Sequence, residues 1–303
     1  MKIIFLGTSG AVPTKERNLS SIFLEYLGNY FLFDCGEGTQ RQMLNAKINF
    51  MRINHIFISH LHADHFLGLG GLIQSMNFLD RKKELCLYGP KGFRKTMEHM
   101  LSMGTFILNS FSIKVHEISG GIVLEDDRYL ISAIKNSHNI NSLAYKFEEK
   151  PKRKFLKEKA LKLGIPEGPL FSKLQKGKEV IISGRKISPD EVLSEPIQGR
   201  KVVYSGDTKF CKELIEFAKN ADVLIHESTF SENEREKADD SGHSTAKDAA
   251  TIAKEANVKK LFLTHISQRY VNPEILEKEA REIFHESYIA KDFLKIKIEK
   301  HDI

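Results

Sequence analysis

Within six consecutive residues, His60-Leu61-His62-Ala63-Asp64-His65, the chain places four side chains that can bind a divalent cation. Imidazole nitrogens and carboxylate oxygens are the donors that a borderline-soft divalent ion takes in an open, catalytic site. The short apolar stretch Ile56–Ser59 precedes the run, and apolar residues at helical spacing follow it from Phe66 to Phe78. The run therefore reads as a strand-to-helix turn. A turn of this kind can give His60 and His62 to one ion and Asp64 and His65 to a second. Four donors in six residues at such a turn leave little room for a chance cluster of surface polar groups. The fold must then bring further ligands to the same place from other strand ends.

Three positions meet that demand. His138 follows the strand expected at Tyr129–Ala133, Asp207 follows Lys201–Tyr204, and His265 follows Leu261–Leu263. A carboxylate such as Asp207 can bridge two ions. Other strands are expected at Lys2–Leu6, Ile22–Tyr26, Tyr30–Asp34, Leu85–Tyr88, Ile113–Ile118, Leu143–Phe147 and Val223–His226, from short β-branched and aromatic runs bounded by turn residues. Helices are expected at Phe93–Met103, Lys212–Asn220, Thr245–Ala256 and Pro273–His285. Strands with helices between and after them indicate a layered α/β domain, and 303 residues suffice for its core.

No apolar run reaches membrane-spanning length, and the first residues are too short and too soon interrupted by Gly7 and Thr8 for a signal peptide. Cys35, Cys86 and Cys211 are far apart and form no paired motif, which suits free thiols in a reducing compartment. The expectation is a soluble cytoplasmic protein.

The net charge is +6, and its distribution is uneven. The segment Lys150–Lys178 holds ten Lys or Arg and two acids, a local charge of +8, which leaves −2 for the rest. Phe155–Leu163 reads as a short basic helix, and Gly164, Pro166, Gly168 and Pro169 break the regularity after it. A positive excess confined to one insertion is the footprint of polyanion binding rather than of an ordinary solvated face.

Together, the H-x-H-x-D-H run and the later His138, Asp207 and His265 resemble the metallo-β-lactamase superfamily. That resemblance implies a four-layer αββα sandwich with the metals at one edge. Asp34, in Phe33-Asp34-Cys35-Gly36-Glu37-Gly38, matches the superfamily's early Asp and is expected to support the site from behind the ligands. A closer resemblance, over nearly the whole chain, is to the ribonuclease Z family in its short form, endonucleases that trim the 3′ end of precursor tRNA. It rests on Pro13-Thr14-Lys15-Glu16-Arg17-Asn18, on Gly168-Pro169 within the basic insertion, on His226-Glu227-Ser228-Thr229 and Gly242-His243-Ser244-Thr245, and on Thr264–Tyr270 around the last ligand. Ser228 stands where many relatives have Ala.

The resemblance implies one metallo-β-lactamase domain over residues 1–303, with 150–178 as a protruding flexible arm that grips tRNA. It implies two zinc ions per chain, at sites that also take Mn²⁺ or Fe²⁺, and a homodimer. The implied cut leaves a 3′-hydroxyl on the tRNA and a 5′-phosphate on the trailer. Asp64 would orient the attacking water and take its proton. His243, oriented by Glu227, would supply the proton to the departing oxygen. Substrate contacts would come from Pro13, Lys15, Arg17, Asn18, Gly168, Pro169 and Arg269. A small-substrate hydrolase of the same fold would keep the seven ligands without needing the arm. A non-enzymatic RNA binder would not keep all seven.

Overall fold

The structure, a computed structural model of the chain, describes residues 1–301. It divides into two compact units. The larger comprises Met1–Asp126, Leu130–Glu148 and Lys201–Glu299.

Its centre is two seven-stranded mixed sheets. The first runs in the order Lys295–Lys297, Lys2–Gly7, Ser21–Tyr26, Asn29–Phe33, Ile53–Phe57, Leu85–Gly89, Ile113–Glu117. The second runs Ser287–Ile289, Leu261–Thr264, Val223–Glu227, Lys201–Tyr204, Leu143–Glu149, Tyr129–Lys135, Gly121–Glu125. Aromatic side chains join the inner faces: Phe31 meets Phe147 at 5.6 Å, Phe57 meets Tyr145 at 5.5 Å, and Phe5 meets Phe262 at 5.7 Å between ring centroids. Such ring pairs contribute beyond the area they bury.

Helices cover each outer face. On the first sheet, Gly68–Phe78 buries Leu69, Leu72, Ile73 and Met76, one stripe at helical spacing, among Ile4, Leu6, Leu32, Ile56 and Leu87. On the second, Ala246–Glu255 buries Ala249, Ala250, Ile252 and Ala253 against Leu224, Leu261 and Leu263. That helix starts at a capping box: the Thr245 hydroxyl accepts from the Asp248 amide at 3.2 Å, and the Asp248 carboxylate accepts from the Thr245 amide at 2.9 Å. The expected αββα sandwich is therefore the observed one.

In the second sheet Lys201–Tyr204, Val223–Glu227, Leu261–Thr264 and Ser287–Ile289 run parallel, as do the last four strands of the first. Their carboxyl ends supply the loops in which layered α/β proteins place ligands. The strand before the metal-binding run is Ile53–Phe57, earlier than the expected Ile56–Ser59, so Ile58 and Ser59 already belong to the turn. The helix expected from Phe66 divides into Ala63–Phe66 and Gly68–Phe78. Gly68 is needed at the join, because a Cβ there would lie 2.1 Å from the Gly36 carbonyl oxygen.

The smaller unit comprises Asp127–Tyr129 and Glu149–Arg200, with the described end of the chain from Lys300. It has a core of its own, in which Ala160, Ile165, Leu174, Val180, Ile187 and Val192 are buried. Two short helices, Lys157–Lys162 and Pro169–Gln175, and a hairpin of Val180–Ile182 with Arg185–Ile187 surround it. The hairpin turns through Ser183 and Gly184, both at positive φ, the tight-turn geometry that matches strand twist. This unit continues past the boundary at 178 set from charge, because Val180, Ile187 and Val192 close its core.

Candidate metal centre

The run His60–His65 leaves the strand Ile53–Phe57 and turns into a helix, with His62 in extended conformation just before it. That change of direction separates the donors into two groups. His60, His62, His138 and Asp207 bring one ligand atom each within 4.8 Å of one another, and so do Asp64, His65 and His265. Asp207 connects the groups. Its Oδ2 lies 3.5 Å from His60 Nε2, 3.4 Å from His65 Nε2 and 3.3 Å from His265 Nε2. All seven residues singled out as ligands converge.

These donors fit cations. His60 Nε2 and His138 Nε2 point at His62 Nδ1 from 3.0 and 3.3 Å. His65 Nε2 and Asp207 Oδ1 are buried without a hydrogen-bond partner, as a ligand atom awaiting an ion would be. Burial, then the neighbouring His65 imidazole, holds His60 well below its ordinary pKa despite Asp207, so it stays in the neutral form that binds metal. Burial acts to raise the pKa of Asp64 and Asp207, but the surrounding imidazoles outweigh it and both are held ionised.

Behind the ligands, the second ring nitrogens are held in place. The buried Asp34 carboxylate accepts from His65 Nδ1 at 2.7 Å, from the Ser59 amide at 2.6 Å and hydroxyl at 2.7 Å, and from the Tyr204 hydroxyl at 2.7 Å. His138 Nδ1 donates to the Gly242 carbonyl at 2.6 Å. His265 Nδ1 donates to the Thr229 hydroxyl at 2.8 Å, which in turn donates to Glu227 at 2.7 Å. Each such bond selects the tautomer that leaves the other nitrogen free to bind metal. His265 has a φ of 56°, in the left-handed region that a histidine seldom occupies. Pairing of Ile266–Ser267 with Ser9–Gly10 holds it there, and Gly10 is required, since a Cβ would lie 2.7 Å from the His265 ring.

His243 and Glu227 stand beside this centre. His243 Nδ1 donates to Glu227 Oε1 at 2.8 Å, and its ring lies 5.1 Å from that of His138 and 5.2 Å from that of His265. Burial opposes the charge on His243, but Glu227 and Asp207 overcome it and raise its pKa to about 9. Its side chain is still 14% exposed, so the outer nitrogen can be reached from solvent.

The other residues singled out in the sequence divide. Lys15 is exposed and borders a cleft of about 980 Å³ between the Thr14–Arg17 loop and Ser267–Glu274. Arg17 faces inward, donating to the Thr8 hydroxyl at 2.7 Å and the Ala290 carbonyl at 2.6 Å. Pro13 is exposed, and Asn18 binds the Glu37 carbonyl at 2.8 Å. Arg269 pairs with Glu234 at 2.7 Å and lies over the Phe230 ring. The polar groups of Arg17, which lines the cleft, and of Asn18 and Arg269, which do not, are thus already engaged. Gly168 and Pro169 lie in the smaller unit, where Gly168 takes a φ of 138° and Pro169 opens a helix. Sequence reasoning gave no role to Ser59, Tyr204, Thr229, Gly242 or Gly10. For Thr229 and Gly242 the signal was present, since both lie in motifs already quoted.

Comparison with known proteins agrees with this geometry. A model of the beta-lactamase superfamily domain matches residues 175–266, and a model of the anti-Pycsar protein Apyc1 matches residues 1–148. Ribonuclease Z of Methanothermobacter thermautotrophicus is 48% identical over 302 residues, covering 100% of this chain and 98% of its own. Ribonuclease Z of Bacillus subtilis is 42% identical over 305 residues, covering 98% and 99%. The solved structure of human tRNase Z, short form, superposes with a TM-score of 0.73 at 29% identity, covering 99% and 100%. The chain belongs to the ribonuclease Z family, metal-dependent nucleases built on the metallo-β-lactamase fold.

Proposed function

We propose that the chain cuts precursor tRNA at its 3′ end with two zinc ions per molecule, leaving a 3′-hydroxyl on the tRNA and a 5′-phosphate on the trailer. The observation that carries this reading is the His243–Glu227 pair, standing about 5 Å from a ring of each ligand group.

The bound ions would supply positive charge for the phosphate and a water acidic enough to attack it at neutral pH. The chain's own residues do the rest. Asp64 is ionised and fixed, with the Ala11 amide donating to its Oδ2 at 2.9 Å. Its part is to orient the attacking water and to take its proton. His243 is protonated at neutral pH and offers its outer N–H to the departing 3′ oxygen. Glu227 aligns that ring and balances its charge. The Glu227 carboxylate is itself fixed by the Thr208 amide at 2.9 Å and by Thr229.

Lys15 is the cation of the Thr14–Arg17 loop that remains free for a phosphate. The Lys150–Lys178 segment would grip the tRNA body through its backbone, which suits a folded RNA whose deep major groove side chains cannot read. The exposed apolar residues Leu44, Leu67, Phe78 and Leu79 suit a homodimer. Among the described residues no helix is long and apolar enough to cross a membrane, and the reading places the enzyme in the cytoplasm with its substrate.

Incubation with a transcribed precursor tRNA, followed by mapping of both new ends, tests the proposal. A 3′-hydroxyl and a 5′-phosphate are expected. A 2′,3′-cyclic phosphate would mean attack by the neighbouring ribose hydroxyl and would refute the water mechanism.

A further inference from the structure

A second cavity, of about 600 Å³, borders His138 on the side of the metal centre defined by His60 and His62. Its size falls in the range of roughly 300–1,000 Å³ usual for small-ligand sites. One wall is the loop after the strand Leu85–Gly89, with Pro90 and Lys91. The other is the loop Asn136–Ser142 after the strand Tyr129–Lys135.

Both loops are tied to the catalytic turn. A Cβ at Gly92 would sit 3.6 Å from the Leu61 side chain, so the first loop lies against the His60–His65 run. The second is pinned at its base, where the Asn136 amide donates to the Ser142 carbonyl at 2.9 Å and the Leu143 amide to the Ser59 carbonyl at 2.9 Å. The Asn136 side chain also donates to the Ser205 carbonyl. The tip, Asn139, Ile140 and Asn141, is exposed.

The charge of this cavity is uncompensated. Lys91 and Lys135 are exposed, and among the described residues neither has a carboxylate within ion-pair distance. None of the twelve lining residues is acidic. The larger cleft near Lys15 differs, because Glu16, Glu274, Glu277 and Asp292 line it beside its cations. The Asn139 amide donates to the Asp240 carbonyl at 3.4 Å, which holds its side chain in place while its oxygen can accept, and the Asn141 amide adds a paired donor and acceptor of the kind that reads the edge of an unstacked base, with the apolar Ile140 between them.

We propose that this cavity is a nucleotide subsite that takes the phosphodiester-linked nucleotide adjoining the bond being cut, with Lys91 and Lys135 on its phosphate and Asn139 and Asn141 on its base. The proposal rests on the RNA-cutting function proposed above and specifies how the strand is held. Because His138 is both a cavity wall and a metal ligand, a nucleotide seated there brings the adjoining phosphate to the centre. The phosphate can come from the tRNA side of the cut or from the trailer side, and both present the same anion.

The test is the metal-loaded double variant Lys91→Gln/Lys135→Gln, assayed with precursor tRNA and with bis(p-nitrophenyl) phosphate. For precursor tRNA, KM should rise about tenfold, with kcat changed less than about twofold, the pattern expected when uniform binding is removed. The slope of log kcat/KM against log salt should shallow by about 0.7, the value for one single-strand phosphate neutralised. Hydrolysis of the small diester should be unchanged. Two further precursors carry one neutral methylphosphonate, at the first linkage on either side of the cut. On one of them the wild type and the variant should become equal, and that one identifies the side that occupies the cavity. Unchanged KM and salt slope in the variant would overturn the proposal, as would a difference that survives equally on both neutral-linkage substrates. A wild-type enzyme that leaves precursor tRNA intact would instead overturn the function on which the proposal rests.

Discussion

Most ionisable side chains of the candidate metal centre are buried and tied, whereas the lysines on the helices of the smaller unit stand in water. His60 and His65 are fully buried, and His65, His138 and His265 each give a second ring nitrogen to a fixed acceptor. Lys159, Lys162, Lys173 and Lys176 are exposed around a small core of apolar residues. Bond breaking needs donors held to a fraction of an ångström, so the chain bears the cost of burying charge and offsets it with partners. Attraction of a polyanion needs only charge displayed at the surface. The two regions should therefore fail in different ways when altered.

The largest effect should follow Asp207→Ala, which removes the carboxylate that, among the described residues, reaches both ligand groups. Cleavage of precursor tRNA should fall by more than about 10³-fold, since on the proposed two-ion reading both ions would lose a ligand that fixes their charge on the phosphate. Metal analysis should find fewer than two ions per chain. Two ions and a normal rate in this variant would show that Asp207 does not bridge.

Next, His243→Ala should slow the chemical step by about 10²–10⁴-fold while the metal content stays the same. A fall in metal content would make His243 a ligand rather than the acid. The pH dependence gives an independent reading. The acid works in its protonated form, so the rate should be flat at lower pH and decline as pH rises through the His243 pKa. Glu227 sets that value near 9 in the ion-free arrangement. Two cations nearby push it downward, so the decline should begin at or below pH 9 and be missing from the variant. A decline kept in His243→Ala would assign it to another group.

The smallest effect should come from the smaller unit. Changing Lys159, Lys162, Lys173 and Lys176 to Gln leaves its core residues in place. KM for precursor tRNA should rise by about tenfold or more, and the salt dependence should flatten by about 0.9 in slope for each phosphate that a lysine no longer neutralises. Turnover of a small phosphodiester should not change. An equal fall in both activities would collapse the contrast between the regions, because the lysines would then be supporting the metal centre.

The legibility of the sequence follows the same contrast. The seven side chains that converge could be read because metal binding restricts residue type and places donors at strand ends, and most strands could be read from their apolar pattern. Thr39–Asn45 and Arg235–Ser241 were not recognised as helices, since neither carries a long apolar stripe. The hairpin at Val180–Ile187 was hidden by its short strands, and the charge pattern that marked the basic segment ended before it. The inward turn of Arg17 and the pairing of Arg269 could not be read either. Their partners, Ala290 and Glu234, are 273 and 35 residues away, and nothing local announces them.

Asp34 lies at the end of a strand of the first sheet, and Tyr204, which donates to it, closes a strand of the second. The carboxylate that aims His65 is therefore also a latch between the halves of the sandwich. While that latch holds, the His65 ring keeps the aim that an ion would need. The aim of one imidazole is thereby set by how the two sheets sit against each other, and so belongs to the whole sandwich rather than to one loop.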